Sequence, residues 1–502
     1  MINRIAAIVR ADVLIRFRRA STVVVFLLLS ALAYVWIPDP STGRALMQIG
    51  KARALYNSAS IAVATAMLAS LFVGLVGFYV VSNAVKRDVQ TRCGFVLAAT
   101  PVTRAEYVIG KFIGNTIFLA TFTAGFMMTS MAMVIVRGEA PLEPLVFLKH
   151  YLIVMPPAIV FVSMIAITFE SVRFLEGRFG DVAYFFVWSM VTGAVAIALM
   201  EAHVRAMAYF DVGGLAILID RISSIVHSTS ISIGASPFDA SRPPVVFNGI
   251  PLDATLAIQR LVAMLVPLPL AGLATIAFHR FDPTRVRRGR EKRHRHLLSR
   301  INAALAAPLR LLAPRNPIAA DALLTITAQP LIVIAAIGFA IAALAENTPE
   351  VMLIAFAAAA IAIADVACRD QRAGTVTLIR SAPNVKTYFV AWKLASSLVV
   401  ALLILAVPLV RSGAIVAGIV GVIFIAAAAT SLAIISNNAK TFIVLFLSFW
   451  YIVLNDHGKT AALDFAGFYG HATPATVAAY LGVAAALLAT AQTIYWMRVR
   501  RD

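Results

Sequence analysis

The chain has 502 residues, of which 61% are hydrophobic and 13% are charged, and its formal net charge is +19. Ordinary soluble domains have roughly 45–50% apolar and about 25% charged residues, so the composition excludes a typical soluble protein and indicates a membrane protein. The lysines and arginines cluster between the apolar runs, at intervals where a chain weaving through a bilayer returns to one side. This positive-inside pattern attributes the basic excess to topology and to contact with anionic lipid, and not to nucleic-acid binding.

The first half of the chain predicts a surface helix followed by six spans. Residues 1–20 have apolar side chains at helical spacing and arginines mostly on the other faces, which is typical of a helix lying on the membrane surface. About 20 apolar residues are needed to cross ~30 Å of hydrocarbon. We expect spans at Ala20–Ile37, Ile61–Val85, Phe112–Val136, Tyr151–Phe169, Val182–Met200 and Leu256–Phe278.

Two features interrupt this pattern. Pro156 and Pro157 fall inside the fourth expected span and predict a kink or break that neighbouring helices must accommodate. Between the fifth and sixth spans, an external segment of residues 201–254 contains the apolar stretch Ala206–Ile225, which is broken by glycines and charged residues. We interpret this stretch as re-entrant or interfacial, and not as a span.

A strongly basic linker, residues 279–316, follows the first half and is expected to lie at the lipid headgroups or to dock another protein. The second half repeats the plan, because the residues around Asp321 echo those around Asp12 just before a first span. The fold predicted is an all-α polytopic membrane protein with about twelve transmembrane helices in two repeated six-helix halves, 1–278 and 317–502. In the second half we expect spans at Pro330–Ala345, Val351–Ala367, Leu394–Val410, Ile415–Ile435, Phe442–Leu454 and Val477–Met497.

A charged stretch between the second and third expected spans of each half occurs twice. The first copy runs from Arg87 to Lys111 and the second from Arg369 to Lys393. In both copies an Arg-Asp pair is followed by Pro and then by Lys after identical intervals, which indicates an internal duplication. The matching residues are Asp88, Pro101 and Lys111 in the first copy and Asp370, Pro383 and Lys393 in the second.

Each copy also predicts a bent piece of helix beneath the membrane. In the first copy a threonine hydroxyl precedes Pro101, a combination that caps and begins a helix. We expect a short helix at Gly94–Ala99 or Gly374–Arg380, followed by a second helix that runs through Tyr107 or Tyr388 into the next span. A short helix joined rigidly to a span would tilt that span when a partner moves it. The alternative is an ordinary loop that only fixes topology.

The stretch Gly94–Lys111 resembles the signature of ATP-binding cassette type-2 permeases, in which a Gly, a small leucine-rich helix, a Thr-Pro or Ser-Pro step and a Gly-Lys recur. The second copy keeps Pro and Lys, but its Gly lies two residues nearer the Asp and Trp392 replaces the Gly before Lys. The resemblance implies a coupling helix that seats in a groove of an ATPase subunit. The residues it implies for this coupling are Arg87, Asp88, Gly94, Pro101, Arg104, Tyr107, Lys111, Arg369, Asp370, Gly374, Pro383, Tyr388 and Lys393.

The same resemblance implies that the chain is the permease subunit of an ATP-driven exporter, with two fused halves served by two copies of a separate ATPase subunit. We expect the chain in the cell inner (cytoplasmic) membrane, and the positive-inside pattern with twelve spans predicts both termini in the cytoplasm. ATP and Mg²⁺ would lie on the partner, because the closest approach to a phosphate loop, at Gly458 and Lys459, lacks the earlier glycine. We expect no cofactor, metal site or enzymatic activity in this chain. The transported substrate stays unidentified.

Two other functions remain alternatives. An ion-coupled secondary transporter also has a 6+6 span plan, but it needs ionisable groups deep in the bilayer. Asp365 lies near the inner mouth of its span and Asn83 holds the matching place in the first half, so the two are a candidate inner-gate polar pair. Asp365 is also placed to face Arg369 one helical turn away. An intramembrane enzyme would need clustered acids, bases or metal ligands, whereas the histidines are scattered singly.

Overall fold

The computed structural model divides the chain into two compact units, Met1–Glu291 and Lys292–Asp502. The boundary falls within the expected linker, residues 279–316. Most of that linker lies outside the described residues, as does Pro383. The residues that the structure describes are 1–18, 20–278, 281, 307–329, 331–346, 348–381 and 385–500.

The described part of the chain is mostly helical, and nine of its helices are long and apolar enough to cross a membrane. Pro317–Ala328 and Leu331–Ala345 provide a tenth candidate, although they are bent by 89°. At two other expected spans the apolar helices are shorter, Val25–Trp36 and Pro349–Ile363. The protein is therefore a membrane-embedded helical protein. The nine helices are Ser58–Val89, Arg104–Arg137, Pro144–Ser171, Phe179–Met200, Ala254–Ala277, Thr387–Ser412, Ile415–Ser436, Ala439–Asp456 and Pro474–Val499.

The first unit begins with a helix that precedes the first apolar helix. The membrane helix Ser58–Val89 contains a π-helical turn at Val73–Gly77 and continues through it. Two short 3₁₀ helices occupy Pro40–Thr42 and Arg205–Phe210. The α-helices of this unit are α1 (Ile2–Phe17), α2 (Ala20–Trp36), α3 (Ser58–Phe72), α4 (Phe78–Val81), α5 (Ala84–Gln90), α6 (Cys93–Ala99), α7 (Arg104–Arg137), α8 (Pro144–Ser171), α9 (Arg178–Met200), α10 (Leu215–Val226), α11 (Ala254–Leu265) and α12 (Leu270–Ala277).

A small antiparallel sheet in the first unit has the strand order β2-β1-β3. The central strand β1 (Arg44–Ile49) lies between β2 (Ala52–Arg53) and β3 (Ile231–Pro237), with Met47 opposite Ile233. The all-α prediction misses this sheet. Its strands come from two loops far apart in the chain, and β1 does not alternate regularly between exposed and buried residues, so no local pattern announces the pairing.

The second unit consists of helices throughout its described residues. Two very short helices precede its longest one, as in the first unit. The helices are α13 (Ala307–Leu312), α14 (Pro317–Ala328), α15 (Leu331–Ala345), α16 (Pro349–Ile363), α17 (Arg369–Ala373), α18 (Val376–Arg380), α19 (Val385–Ser412), α20 (Ile415–Ser436), α21 (Ala439–Asp456) and α22 (Pro474–Val499).

Local capping signals explain where the long helices begin. The Thr103 hydroxyl accepts a hydrogen bond from the Glu106 N–H, and the Glu106 carboxylate accepts one from the Thr103 N–H, so a capping box starts α7. The hydroxyls of Thr348 and Thr473 cap α16 and α22, each just before a proline at the first helical position.

A buried arginine accommodates one of the two prolines in α8. Pro157 has no N–H, so it cannot bond the carbonyl of Ile153 one turn earlier. The Arg260 Nε atom donates to that carbonyl over 2.9 Å, and a terminal nitrogen of Arg260 donates to the carbonyl of Val154, also over 2.9 Å. The helix continues through Pro156 and Pro157 without a break, and at Pro157 a neighbouring side chain supplies the missing donor.

The same arginine holds the tip of the segment between the fifth and sixth spans. Arg260 donates to the backbone carbonyls of Asp211 and Val212, and the Ser70 hydroxyl donates to the carbonyl of Gly213 over 2.7 Å. The tip therefore packs against the C-terminal part of α3. The 3₁₀ helix before it and α10 after it are each too short to cross a bilayer, which agrees with a re-entrant or interfacial segment.

Replacing Arg260 with methionine should destabilise the first unit. We expect Arg260→Met to lower the free energy of unfolding by about 3 kcal/mol, because the carbonyl of Ile153 would stay buried without a donor and the loop carbonyls of Asp211 and Val212 would lose their contact with Arg260. Equilibrium unfolding of the purified chain in mixed micelles measures this loss. Arg242→Met changes an exposed arginine and is the matched control. An equal effect of the two substitutions would contradict the role given to Arg260.

Candidate functional site

Each copy of the charged stretch folds into two short helices that lead into a long one. These are α5, α6 and α7 in the first unit and α17, α18 and α19 in the second. A residue with left-handed backbone separates the short helices in both units: Arg92, with φ of 61°, and Gly374, with φ of 70°. Both follow the Arg-Asp pair at the same interval, so Gly374 matches Arg92. The match between Gly374 and Gly94 suggested by the sequence resemblance is therefore wrong.

A buried lysine joins three helices of the first unit. The Lys111 Nζ atom, on α7, lies 3.0 Å from a carboxylate oxygen of Asp12 on α1 and 2.8 Å from one of Asp88 on α5. Lys111 is only 4% exposed, and both carboxylates are buried as well. Because a buried charge is costly unless it is paired, the three helix segments are stabilised in this arrangement only together.

Two arginines complete the network around Asp12. Arg16 Nε and Arg87 lie 2.7 Å and 2.5 Å from its two oxygens, and Arg16 also donates to the Asn115 side-chain oxygen over 2.5 Å. Burial raises the pKa of Asp12, but Arg16, Lys111 and Arg87 outweigh that effect and lower it to about 2. Asp12 therefore stays ionised at any physiological pH.

Two glycines allow α1 to approach α7 closely enough for these contacts. A Cβ atom at Gly110 would lie 2.8 Å from the Ile8 side chain, and one at Gly114 would lie 3.0 Å from the Asp12 carboxylate. Small residues four apart let helix backbones pack closely in membranes. The glycine that precedes Lys111 in the sequence signature, Gly110, is thus explained by the close contact between α1 and α7.

The second unit contains a network with the same core. The Lys393 Nζ atom lies 2.7 Å from Asp321 on α14 and 2.7 Å from Asp370 on α17, and its side chain is fully buried. Arg369 lies 3.8 Å from Asp321 and donates to the Thr325 hydroxyl over 2.7 Å. In each unit the Lys thus contacts the Asp of the interfacial helix and the Asp of the Arg-Asp pair. The Arg of that pair also lies near the interfacial Asp.

The two networks differ in their outer members. Counted from the shared Asp on the interfacial helix, Thr325 stands where the first unit has Arg16. Counted back from the Arg-Asp pair, Asp365 stands where it has Asn83. Among the described side chains, the first network combines three cations with two anions. The second combines two cations with three anions, because Asp365 lies 3.5 Å from Arg369. Asp12 and Asp321 were not among the predicted site residues, although their repeated sequence context could have identified them.

The proposed polar pair, Asn83 and Asp365, has a local explanation in each unit. Asn83 adopts a left-handed backbone with φ of 80°. Its N–H and those of Ala84 and Val85 donate to the Glu170 carboxylate, which caps α5. Asp365 makes the ion pair with Arg369 described above. A role for this pair in gating stays a prediction.

Aromatic stacking supports the base of each long helix. Tyr107 stacks on Phe278 with ring centroids 4.7 Å apart, and its hydroxyl donates to Asp88 over 2.8 Å. In the second unit Phe389 stacks on Tyr495 at the same centroid distance, 4.7 Å. Phe389 therefore occupies the place of Tyr107. Tyr388, the predicted counterpart, is 63% exposed instead, because it lies one residue too far from Lys393.

The remaining predicted residues lie on the outer side of the networks. A Cβ atom at Gly94 would lie 2.5 Å from the Phe281 ring, so this glycine makes room for that ring. Pro101 and Arg104 are exposed, and the carbonyl of Pro101 accepts a hydrogen bond from Arg4 over 2.9 Å. Their exposure leaves them accessible to a partner.

On each second short helix, the most exposed large apolar side chain was not predicted. Val96 on α6 is 68% exposed and Leu378 on α18 is 73% exposed. They follow the Arg-Asp pair at the same interval, which is the signal that could have found them. Their exposure leaves both side chains available for contact with a partner.

Comparison of the chain with protein-family models, with curated proteins and with solved structures gives no match. The likeness to type-2 permeases therefore stays a prediction. Within the described residues, no three His, Cys, Asp or Glu side chains come together in a way that could hold a metal ion. What the site offers is a pair of buried charge networks, each beside an exposed short helix.

Removing the buried lysine of the second unit should be severely destabilising. Lys393→Met leaves Asp321 and Asp370 buried without their shared cation, and we expect a loss of about 3–5 kcal/mol in the free energy of unfolding. The triple variant that also carries Asp321→Asn and Asp370→Asn should recover most of this loss. Unfolding in mixed micelles measures both. Lys459→Met, at an exposed lysine, is the control.

If Lys393→Met unfolds like the control, or if the triple variant is as unstable as the single one, the ion pairs do not hold these helices together.

Proposed function

We propose that this protein is the membrane-spanning permease subunit of an ATP-driven exporter of the ATP-binding cassette type-2 class. In this proposal the chain consists of two repeated halves of six spans each and is driven by two copies of a separate ATPase subunit at the cytoplasmic membrane. The observation that carries the proposal is the buried charge network found once in each unit, directly beside an exposed short helix.

Three features support the repeat. The Arg-Asp pair and the following Lys have the same spacing in both units, a left-handed residue separates the short helices at the same place, and an Asp from the preceding interfacial helix completes each network. These features involve residues far apart in sequence. A duplication explains all three at once.

In each half, the buried charge network would transmit a movement of the short helix to the helices that it joins. In the first unit α6 lies between α5 and α7, and Lys111 with Asp88 and Asp12 joins the ends of those helices to α1. Separating buried paired charges costs several kcal/mol. A push on α6 would therefore move α1, α5 and α7 as one body. Since α7 has 34 residues, it would carry that movement over about 50 Å.

Val96 and Leu378 are the residues we expect to enter the ATPase subunits. Each projects from the second short helix of its unit and is mostly exposed, so an apolar groove on a partner would bury it. One such residue in each half fits one ATPase copy for each half. ATP and Mg²⁺ would lie on those partners, and no catalytic role falls to this chain.

The proposed orientation rests on charge. Basic residues cluster before the first span, around both short-helix pairs and at the C-terminal end, and the positive-inside rule puts such clusters in the cytoplasm. Both termini and both contact residues would then face the compartment that supplies ATP. The direction of transport follows from the resemblance alone, which indicates export, and the transported substrate stays unidentified.

Acidic substitutions on the two short helices should abolish ATPase binding. We expect Val96→Asp with Leu378→Asp to reduce co-purification of the ATPase subunit at least tenfold, because each replaces a buried apolar contact with an unpaired charge. The chain should still insert and fold, since both side chains are exposed. Phe174→Asp, at an exposed aromatic residue of another loop, is the control and should bind normally.

Normal ATPase binding by the double variant would remove these helices from the interface. Transport by the wild-type chain in vesicles on an ion gradient, without any ATPase subunit, would favour the secondary transporter instead.

A further inference from the structure

A cavity of about 420 Å³ lies in the second unit, beside α17 and α18 and the ends of α20 and α22. Its lining combines two arginines, Arg380 and Arg498, with the uncharged polar side chains of Gln371, Thr377 and Asn437. Guanidinium, amide and hydroxyl groups together are hydrogen-bond donors suited to an anion. No role in the proposed coupling falls to this cavity.

Arg498 is held firmly at the cavity wall. Its terminal nitrogens donate to the carbonyls of Ile434 and Ile435 over 2.6 Å and 2.7 Å, and to the side-chain oxygen of Asn437 over 3.0 Å. These partners carry partial charges only, so they position the guanidinium without neutralising it. Arg380 lies over the Tyr495 ring, 5.7 Å from its centroid. Both cations are thus positioned before any ligand arrives.

Among the described residues of the lining, the one carboxylate belongs to Asp370, and it is paired. Asp370 faces the cavity, but Lys393 lies 2.7 Å from it on the protein side. Lys393 does not line the cavity. Arg380 and Arg498 are the cations among the described residues of the lining, and they favour a negatively charged ligand.

The first unit fills the corresponding place with an aromatic ring. Phe281 follows Phe278 at the same interval as Arg498 follows Tyr495, and Phe278 and Tyr495 are the matching members of the two aromatic stacks. Phe281 packs against Phe278 with centroids 5.1 Å apart and against Gly94. In the second unit Arg498 stands where the first unit has the Phe281 ring, so the corresponding space is polar and open.

The cavity lies beside the end of a membrane helix. Arg498 is the second-last residue of Pro474–Val499. Trp496 and Met497, which precede it in the chain and do not line the cavity, are each 49% exposed, and tryptophans at helix ends mark the membrane interface. This position favours a lipid headgroup as the source of the anion.

We propose that this cavity binds the phosphate of an anionic phospholipid headgroup, with Arg380 and Arg498 as its two cationic ligands. The acyl chains extend along the exposed surface beside Trp496. Arginine is the side chain best suited to a phosphate because its planar fork gives two parallel hydrogen bonds.

Lipid retention by the purified chain tests the proposal. The full-length chain is incubated with mixed micelles of phosphatidylglycerol or phosphatidylcholine, and native mass spectrometry counts the lipids that remain bound. We expect preferential retention of phosphatidylglycerol, and about tenfold weaker retention in Arg380→Gln with Arg498→Gln, since two charge-assisted contacts are lost. Arg500→Gln removes an exposed charge two residues away and should retain the lipid normally.

A second variant covers the case in which loss of Arg498 disturbs the helix ends. Thr377→Glu adds a negative charge at an exposed position of the lining and leaves both arginines in place. We expect it to weaken phosphatidylglycerol retention to a similar degree.

Two results would overturn the proposal. The first is equal retention of phosphatidylglycerol by the wild-type chain, the double variant and Thr377→Glu. The second is stabilisation of the wild-type chain by inorganic phosphate in a lipid-independent way that Arg380→Gln with Arg498→Gln abolishes, because the anion would then be a soluble one.

Discussion

The contact on which each unit depends is one buried lysine shared between two aspartates. Lys111 and Lys393 have almost no contact with solvent, so each charge is tolerable only while both of its carboxylates are present. One of those carboxylates comes from the first of the helices that meet at the network, α1 or α14, and the other comes from a short helix, α5 or α17. A local ionic interaction thus fixes the relative position of elements that are far apart in the chain.

The arrangement suits a part that must transmit motion. Apolar packing between membrane helices is weakly directional, because lipid is as apolar as the side chains it replaces. Charged pairs in a dry environment specify one geometry and disfavour intermediate ones. The two units share the lysine and its two aspartates, and they differ at Arg16 and Thr325, at Asn83 and Asp365, and at Phe281 and Arg498.

Much of this organisation follows from the sequence because it is periodic or repeated. Long apolar runs predict the membrane helices, and matched intervals predict the two short-helix pairs. The prediction paired Tyr388 with Tyr107 because both residues are tyrosines. Counted back from the lysine, the residue that matches Tyr107 is Phe389, one position later. The sheet containing Met47 and the contact of Arg260 with the carbonyl of Ile153 were out of reach, since both join segments that only tertiary structure brings together.

Distance measurement by pulsed electron paramagnetic resonance tests the central claim most directly. Spin labels at Arg10 on α1 and Val96 on α6, both exposed, would be introduced after replacing Cys93 and Cys368 with serine. We expect one narrow distance distribution that broadens markedly when Lys111→Met is added. A distribution that Lys111→Met leaves unchanged would contradict it, because α1 and α6 would then be held together by something other than the buried charges.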